Sequence, residues 1–537
     1  MTNSSIFKER IDSKNIIYSL NLYRGNEAFE ILTNQNFQRG WDNLYYHCPW
    51  ATVFQHRSFI SSWYQMYQEE FQPIIISEQY GKVITGIIHL AIPTKELKKK
   101  SMVKIHGAGE FNAEYHAWLT KSNNNSFIKT SLSLLLREFP KCKVILRYLP
   151  PETPLSWTNS HQWKRKIILQ ASKRPLMDTY HPDFPNLLRK RHLKAKYNRI
   201  NKAGHLKLEE INDTDEFSKL LLFLKDQYDF RQGALFNKNQ FRDDPKKAPF
   251  LKRLFDAGLL HVSTLKLNDD ITAAVISMTD KNWVHLAGLI SHSPFYSQYS
   301  PGLVQLYMLG RKFYFDHIEV FDLTPGNDPY KDRLATHNDI AYELVITENK
   351  LFKYKRAARK AFFDGLYRYG ILPQKLKLQF EKNVYIFKNK YKYLLAAGMR
   401  SILMHLSASP STKPFEITDE QIKNAPQIIF KINHLEDLLN YQQGRSTLTR
   451  WEFLDNALKR FEEGQNSYSI SKNGQLEFCA WIIKMNNKDK KTGTNASLQI
   501  KLDYCFIRDR SFEKQHLASL YQFIKCSEKT DQIIFNH

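Results

Sequence analysis

Apolar residues recur along this chain in three successions of one kind. In the first, Phe59, Trp63 and Met66 fall at helical spacing, and apolar runs at 73–78 and 83–92 flank the turn Tyr80-Gly81-Lys82. In the second, Phe250, Leu251, Leu254 and Phe255 form a helical stripe closed by Gly258. Runs at 260–267 and 271–278 follow around a turn at 268–270. In the third, Trp451, Leu454, Leu458 and Phe461 form a stripe closed by Gly464, and runs at 467–471 and 476–485 flank Asn473-Gly474. Asn-Gly between apolar runs is a strong hairpin signal, because both turn residues tolerate positive φ. Each succession continues with strand, helix and strand. The last three elements are 115–120, 127–139 and 144–148 in the first, and 283–290, a helix from Pro301 and 318–323 in the second. In the third they are 498–507, 512–524 and 532–535. The repeat is one of topology, not of sequence, and it predicts an α+β protein of tandem units with mostly antiparallel sheets and flanking helices.

The second succession holds the most informative stretch, 283–333. The strand at 283–290 runs into a loop of Ser, Pro and Tyr. Pro301 then stands where a first helical turn begins, with Ser300 before it and Leu303, Leu306, Tyr307, Gly310 and Phe313 following at helical spacing. The first amides of such a helix lack intrahelical partners and suit an anion such as a pyrophosphate. A turn followed by a helix start is common, so this pattern names no ligand by itself.

Length and charge narrow the picture. A chain of 537 residues exceeds one core. The predicted divisions are a lead-in at 1–27, units at 28–180 and 181–349, a basic helical linker at 350–409 and a third unit at 410–537. The formal charge of +24 implies an acidic partner without choosing among nucleotide, nucleic acid, phosphorylated substrate and anionic lipid. Five scattered cysteines without a CxxC point to reduced thiols, no zinc site and a cytoplasmic protein. The first twenty residues lack the apolar core of a signal peptide, and no run is long enough to span a membrane. There is no GxSxG. Cys48-Pro49 has no paired base, and GAGE at Gly107 is too short for a dinucleotide fingerprint.

The stretches YSPG (299–302) and GNDPYK (326–331), set within the strand–loop–helix–strand order, resemble the CelD-type branch of the GNAT acyltransferases, relatives of the FemAB peptidyltransferases. The resemblance covers about 54–348 and is clearest over 186–334. It implies tandem GNAT-like units and acyl-CoA-dependent N-acyl transfer, with acetyl-CoA as donor and an amino group of a sugar, polysaccharide or cell-envelope precursor as acceptor. Carried onto this chain, it implies that Ala287, Gly288 and Leu289 line pantetheine and that Tyr299, Ser300, Pro301 and Gly302 hold the pyrophosphate. Lys331 would meet a phosphate, Tyr330 would protonate the leaving thiolate, and His285 would act as base. Glu114 and Tyr115 in the first unit, and Asp229 and Arg231 in the second, would bind substrate. The third unit has IRDRSFEKQ where a small-residue loop is needed, so it reads as a degenerate, non-catalytic copy.

Two basic stretches remain. Residues 186–204, NLLRKRHLKAKYNRINKAG, read as one helix bounded by Pro185 and Gly204, either a solvated face or a phosphate clamp. Residues 350–405 interleave Lys and Arg with Phe, Tyr and Leu, the pattern of packed helices, of a helix on anionic lipid or, third, of a nucleic-acid surface. The lipid alternative places the protein at the inner face of a membrane. Two other functions stay open: a FemAB-like transferase fed by aminoacyl-tRNA, and a non-catalytic scaffold for an anionic partner.

Overall fold

The computed structural model describes residues 18–97, 102–122, 124–397, 419–443, 448–486, 498–528 and 533–534. Its contacts gather into two compact units. One comprises Met1–Lys219, Pro245–Ile290 and Gly302–Phe362; the other comprises Leu220–Asp244, Ser291–Pro301 and Phe363–His537.

The first unit is built on one thirteen-stranded sheet. In chain order its strands are β1 (Tyr18–Arg24), β2 (Phe71–Tyr80), β3 (Val83–Pro93), β4 (Lys104–Gly107), β5 (Leu119–Thr120), β6 (Lys143–Leu149) and β7 (Ile167–Asp178). They continue with β8 (Leu206–Glu210), β9 (Leu260–Leu267), β10 (Asp270–Asp280), β11 (Trp283–His292), β12 (Val320–Asp322) and β13 (His337–Thr347). The order across the sheet is β1-β2-β3-β4-β6-β13-β7-β12-β11-β10-β9-β8, with β5 beside β3. The expected hairpins β2–β3 and β9–β10 are present and antiparallel, while β4–β6 and β11–β12 are parallel. Gly81 (φ +58°) and Asn268 (φ +55°) supply the left-handed backbone that these tight turns need. The helices Arg57–Met66 and Lys247–Asp256 precede them, burying Phe59, Ile60 and Trp63, and Phe250, Leu251 and Leu254.

Two details depart from the sequence reading. The first and second predicted units are not separate sheets. β13, at the end of the second, lies between β6 and β7, pairing with Leu149–Lys143 on one side and with Leu176–Ile167 on the other. β7, at the end of the first, also pairs with β12. Strand pairing between segments far apart in sequence leaves no local signature, so the join was invisible in the pattern. The basic stretch is two helices, Phe184–Arg189 and Arg191–Asn201, because Lys190 leaves helical backbone (ψ 118°). The break lets Leu187 on one helix and Leu193 on the other reach a single core. The Tyr307 hydroxyl donates to the Leu188 carbonyl at 2.9 Å, satisfying an acceptor that the helix end leaves open.

The second unit holds a five-stranded sheet ordered β14 (Lys431–Ile432), β15 (Asn466–Lys472), β16 (Gln475–Asn486), β17 (Leu498–Ile507) and β18 (Ile533–Ile534). The hairpin turn is at Asn473-Gly474, both left-handed, as its sequence requires. The preceding helix, Arg450–Glu462, is closed at its start by a Thr449–Glu452 capping box. Along β16, Cys479 and Trp481 enter one apolar cluster, and Phe478, Ala480 and Ile482 enter another, so both faces of the sheet are covered.

Candidate active site

The residues that matter most lie on β7, β11, β12 and β13, and strand alternation sorts them. Met177, Val284, Leu286, Phe321 and Leu323 enter an apolar cluster with Leu306, Leu309 and Phe313 of the helix Pro301–Phe315. One position out of phase, Arg174, His285 and Asp322 turn to the other face.

Asp322 is fully buried. A carboxylate without water must find donors in the protein. It accepts hydrogen bonds from the Tyr115 hydroxyl at 2.6 Å, from His285 Nδ1 at 2.8 Å and from the Thr324 amide at 2.8 Å, with the Arg174 guanidinium 3.9 Å away. Burial alone pushes its carboxyl up. The His285 hydrogen bond and the Arg174 charge outweigh burial and hold it below its ordinary value. Arg174 is itself fixed, donating from Nε to Asp339 at 2.7 Å within a two-pronged pair. Its guanidinium stands 5.5 Å from the ring centres of both Tyr115 and Trp283.

This arrangement decides the histidine tautomer. An ionised carboxylate only accepts, so His285 Nδ1 carries a proton, and in the neutral ring the lone pair is on Nε2. His285 also lines a cavity of about 470 Å³, together with Trp283, Arg174, His337 and Lys281 and with the acidic residues Glu152, Asp178, Asp280 and Asp339, the last paired with Arg174. A buried base beside a cavity with more acidic than basic side chains suits a cationic amine that must lose a proton before it attacks.

The sheet also opens here. The ladder between β11 and β12 runs from Trp283↔Val320 to His285↔Asp322 and stops, while β11 continues to His292. Just past the opening, Gly288 is exposed with φ +148°, a conformation that a side chain would strain. Ser300, in left-handed backbone (φ 54°, ψ 52°), ends the short helix Pro294–Tyr299 directly before the helix Pro301–Phe315.

The structure brings Tyr115 and His285 together on Asp322, although 170 residues separate them, by the difference of their numbers. Glu114 lies beside them, with its carboxylate 3.3 Å from Arg147. Burial raises its carboxyl, and the charges of Arg147 and Lys331 only partly oppose that. In β11, Leu289 is buried and Ala287 half-buried; Pro301 is buried, and Tyr299 and Gly302 are half-buried.

Of the other expected site residues, Lys331 and Asp229 are engaged by the protein itself. The Lys331 ammonium is buried and bonds the Thr324 carbonyl and hydroxyl, both at 3.1 Å, with Asp328 at 3.6 Å. It ties down the turn after β12. Tyr330 packs against the apolar cluster beneath the helix Pro301–Phe315. Asp229, in the other compact unit, accepts the amides of Phe241 and Arg242 at 2.9 Å each. That caps the helix Gln240–Asp243 and occupies the carboxylate expected to bind substrate. Arg231 belongs to that same unit, half-buried. Asp322, Arg174 and Asp339 were not anticipated. The available signal was an aspartate inside the apolar run IEVFDL, which a buried strand tolerates only with partners.

Residues 188–332 match the family model described as an acetyltransferase (GNAT) domain, so the likeness read from the sequence holds over that segment. No curated protein matches the chain. Among solved structures, FemX is similar at 10% identity, covering 59% of this chain and 98% of its own, with a TM-score of 0.42. L-PGS from Bacillus licheniformis is similar at 14% identity, covering 50% and 82%, with a TM-score of 0.33. A tandem GNAT protein from the clavulanic acid biosynthesis pathway is similar at 8% identity, covering 62% and 99%, with a TM-score of 0.34. Likenesses this distant decide nothing about activity.

Proposed function

We propose that this chain, which carries a GNAT acyltransferase domain over residues 188–332, moves an acyl group from a coenzyme A thioester, acetyl-CoA first among candidates, to an amine seated in the cavity before His285. The observation that carries the reading is the Asp322–His285 pair, which leaves a proton-accepting nitrogen at the point where β11 and β12 part.

The acceptor enters as an ammonium drawn by the cavity's carboxylates. His285 Nε2 takes its proton, and Asp322 stabilises the imidazolium that forms. The free amine attacks the thioester carbonyl, the new C–N bond forms, the C–S bond breaks and the thiolate leaves with a proton. The backbone edge of β11 from Ala287 to Leu289, including Gly288 with its positive φ, is the proposed seat of the pantetheine chain. The start of the helix Pro301–Phe315, with Tyr299 to Gly302, is the proposed seat of the pyrophosphate. Tyr330 is the proposed donor to the thiolate. An amino sugar or envelope precursor is the acceptor class suggested by the sequence resemblance.

Calorimetric titration with acetyl-CoA tests the donor, with aminoacyl-tRNA as a parallel donor in the transfer assay. Binding of acetyl-CoA is expected. Transfer only from aminoacyl-tRNA overturns the donor assignment, and transfer from neither supports the scaffold reading. His285→Gln is expected to lower turnover on the order of 10²–10⁴-fold while sparing donor affinity. Tyr330→Phe is expected to cost on the order of a hundredfold in turnover, again with donor affinity kept. Unchanged turnover in the latter variant would leave Tyr330 as packing only and hand the thiolate's proton to solvent.

A further inference from the structure

The helix Lys350–Arg368 follows β13 and buries none of its side chains. Seven Lys or Arg residues and a single acid, Asp364, lie along it. At 3.6 residues per turn, Leu351, Tyr354 and Phe362 fall within an arc of about 80°. All three are exposed, by 63%, 75% and 63%. Lys350 flanks this stripe on one side, and Lys355 and Arg359 on the other. The opposite face of the helix holds it to the sheet. Arg356 pairs with Glu343 and donates to Gln170 at 3.1 Å, Lys353 donates to the Arg165 carbonyl, and the Lys143 ammonium sits 3.9 Å over the Phe352 ring. The outward direction of the apolar stripe is therefore fixed by contacts on the inward side. Between helix and sheet runs a groove of about 690 Å³ with an apolar floor from Ile167 to Leu169 and cations from Lys164, Arg165, Lys350, Lys353 and Lys360.

Three large, mostly exposed apolar side chains beside a cationic rim describe a helix made for an interface. Salt bridges alone do not account for Leu351, and a polyanion in solution gives an aliphatic side chain nothing to bury against. We propose that this helix docks on the surface of an anionic phospholipid bilayer, with Leu351, Tyr354 and Phe362 in the headgroup layer and the basic groove receiving lipid phosphate. The attachment proposed is peripheral; among the described residues no helix is long and apolar enough to cross a membrane.

The test is co-sedimentation of the full chain with vesicles of phosphatidylcholine alone, or with a third of phosphatidylglycerol added. Binding is expected to the mixed vesicles only, and to weaken as salt rises. Lys350→Glu with Lys355→Glu should lower partitioning on the order of tenfold to a hundredfold. Tyr354→Asp with Phe362→Asp should do so as well, though it leaves every cation in place, and both pairs are exposed enough to keep the melting temperature. Equal binding to neutral vesicles, no binding, or binding indifferent to the aspartate pair overturns the proposal. Retention on RNA without retention on vesicles assigns the surface to nucleic acid and overturns it too. Acyl transfer plays no part in the readout, so the outcome is independent of the proposed catalysis.

Discussion

Asp322→Asn is expected to remove most of the turnover and a large share of the stability. An asparagine is nearly isosteric, so the change acts through charge and hydrogen bonding. Its oxygen can still take the Thr324 amide, but its NH2 group then faces two donors, the Tyr115 hydroxyl and His285 Nδ1. The simplest escape is for the histidine to give up its Nδ1 proton and carry it on Nε2. That is the wrong tautomer for a base, and in a related dyad logic it costs on the order of 10⁴-fold in rate. The Arg174 charge keeps Asp339 but loses its second acidic neighbour inside the protein. Breaking a buried ionic group by removing one partner typically costs about 3–5 kcal/mol.

The pH dependence has a definite sign. The folded-state value of Asp322 lies below the ordinary one, so its contribution to stability is present above the unfolded-state value and fades as pH falls through the folded one. The difference in unfolding free energy between parent and variant should be flat from about pH 8 to pH 5 and shrink below about pH 4. Denaturant titration across that range checks it. A difference that instead grows on acidification means Asp322 is buried as the neutral acid, and the tautomer argument falls with it.

What the sequence disclosed follows from what is local. Hairpins at Gly81, Asn268 and Asn473-Gly474, and the helices before them, are written in turn chemistry and in periods of 2 and 3.6, and they stand where expected. β11 lies inside the sheet, with β12 on one side and β10 on the other, which suits an apolar run with few polar positions. The insertion of β13 between β6 and β7 was not, since nothing in its eleven residues names a partner two hundred positions away. The site was half legible for the same reason. His285 and Tyr115 were singled out, but the residue that joins them is an aspartate whose meaning depends on burial. Lys331 and Asp229 were expected as ligand contacts from the resemblance alone, and the local sequence around each could not test that. Only the geometry shows that the Lys331 amine and the Asp229 carboxylate are already engaged by backbone.

Gly288→Ala is the second large effect expected, and it tests the opening of the sheet. A Cβ at Gly288 would sit 2.5 Å from the Ile276 carbonyl oxygen, far inside van der Waals contact. That oxygen belongs to β10, which is held in register on its other side by the Ile276↔Val262 pairing with β9. The obstacle is thus backbone in a three-stranded stack, not a side chain that can swing away. The residue's φ of +148° adds conformational strain for any side chain. Overpacking and backbone strain each run to about 1–3 kcal/mol, so a loss of about 2–6 kcal/mol is expected. If β11 relieves the clash by moving off β10, its edge shifts where the donor chain is proposed to lie. Donor affinity should then fall together with melting temperature. Gly365→Ala supplies the contrast: nothing lies within 4 Å of its Cβ position in the helix Lys350–Arg368. There the same added methyl should be neutral or stabilise by up to about 1 kcal/mol, because alanine prefers a helix over glycine. Thermal unfolding of the two variants side by side decides the matter. Equal melting temperatures would mean that β11 is free to shift at Gly288, and the proposed seat for the donor would have to be sought elsewhere on the sheet.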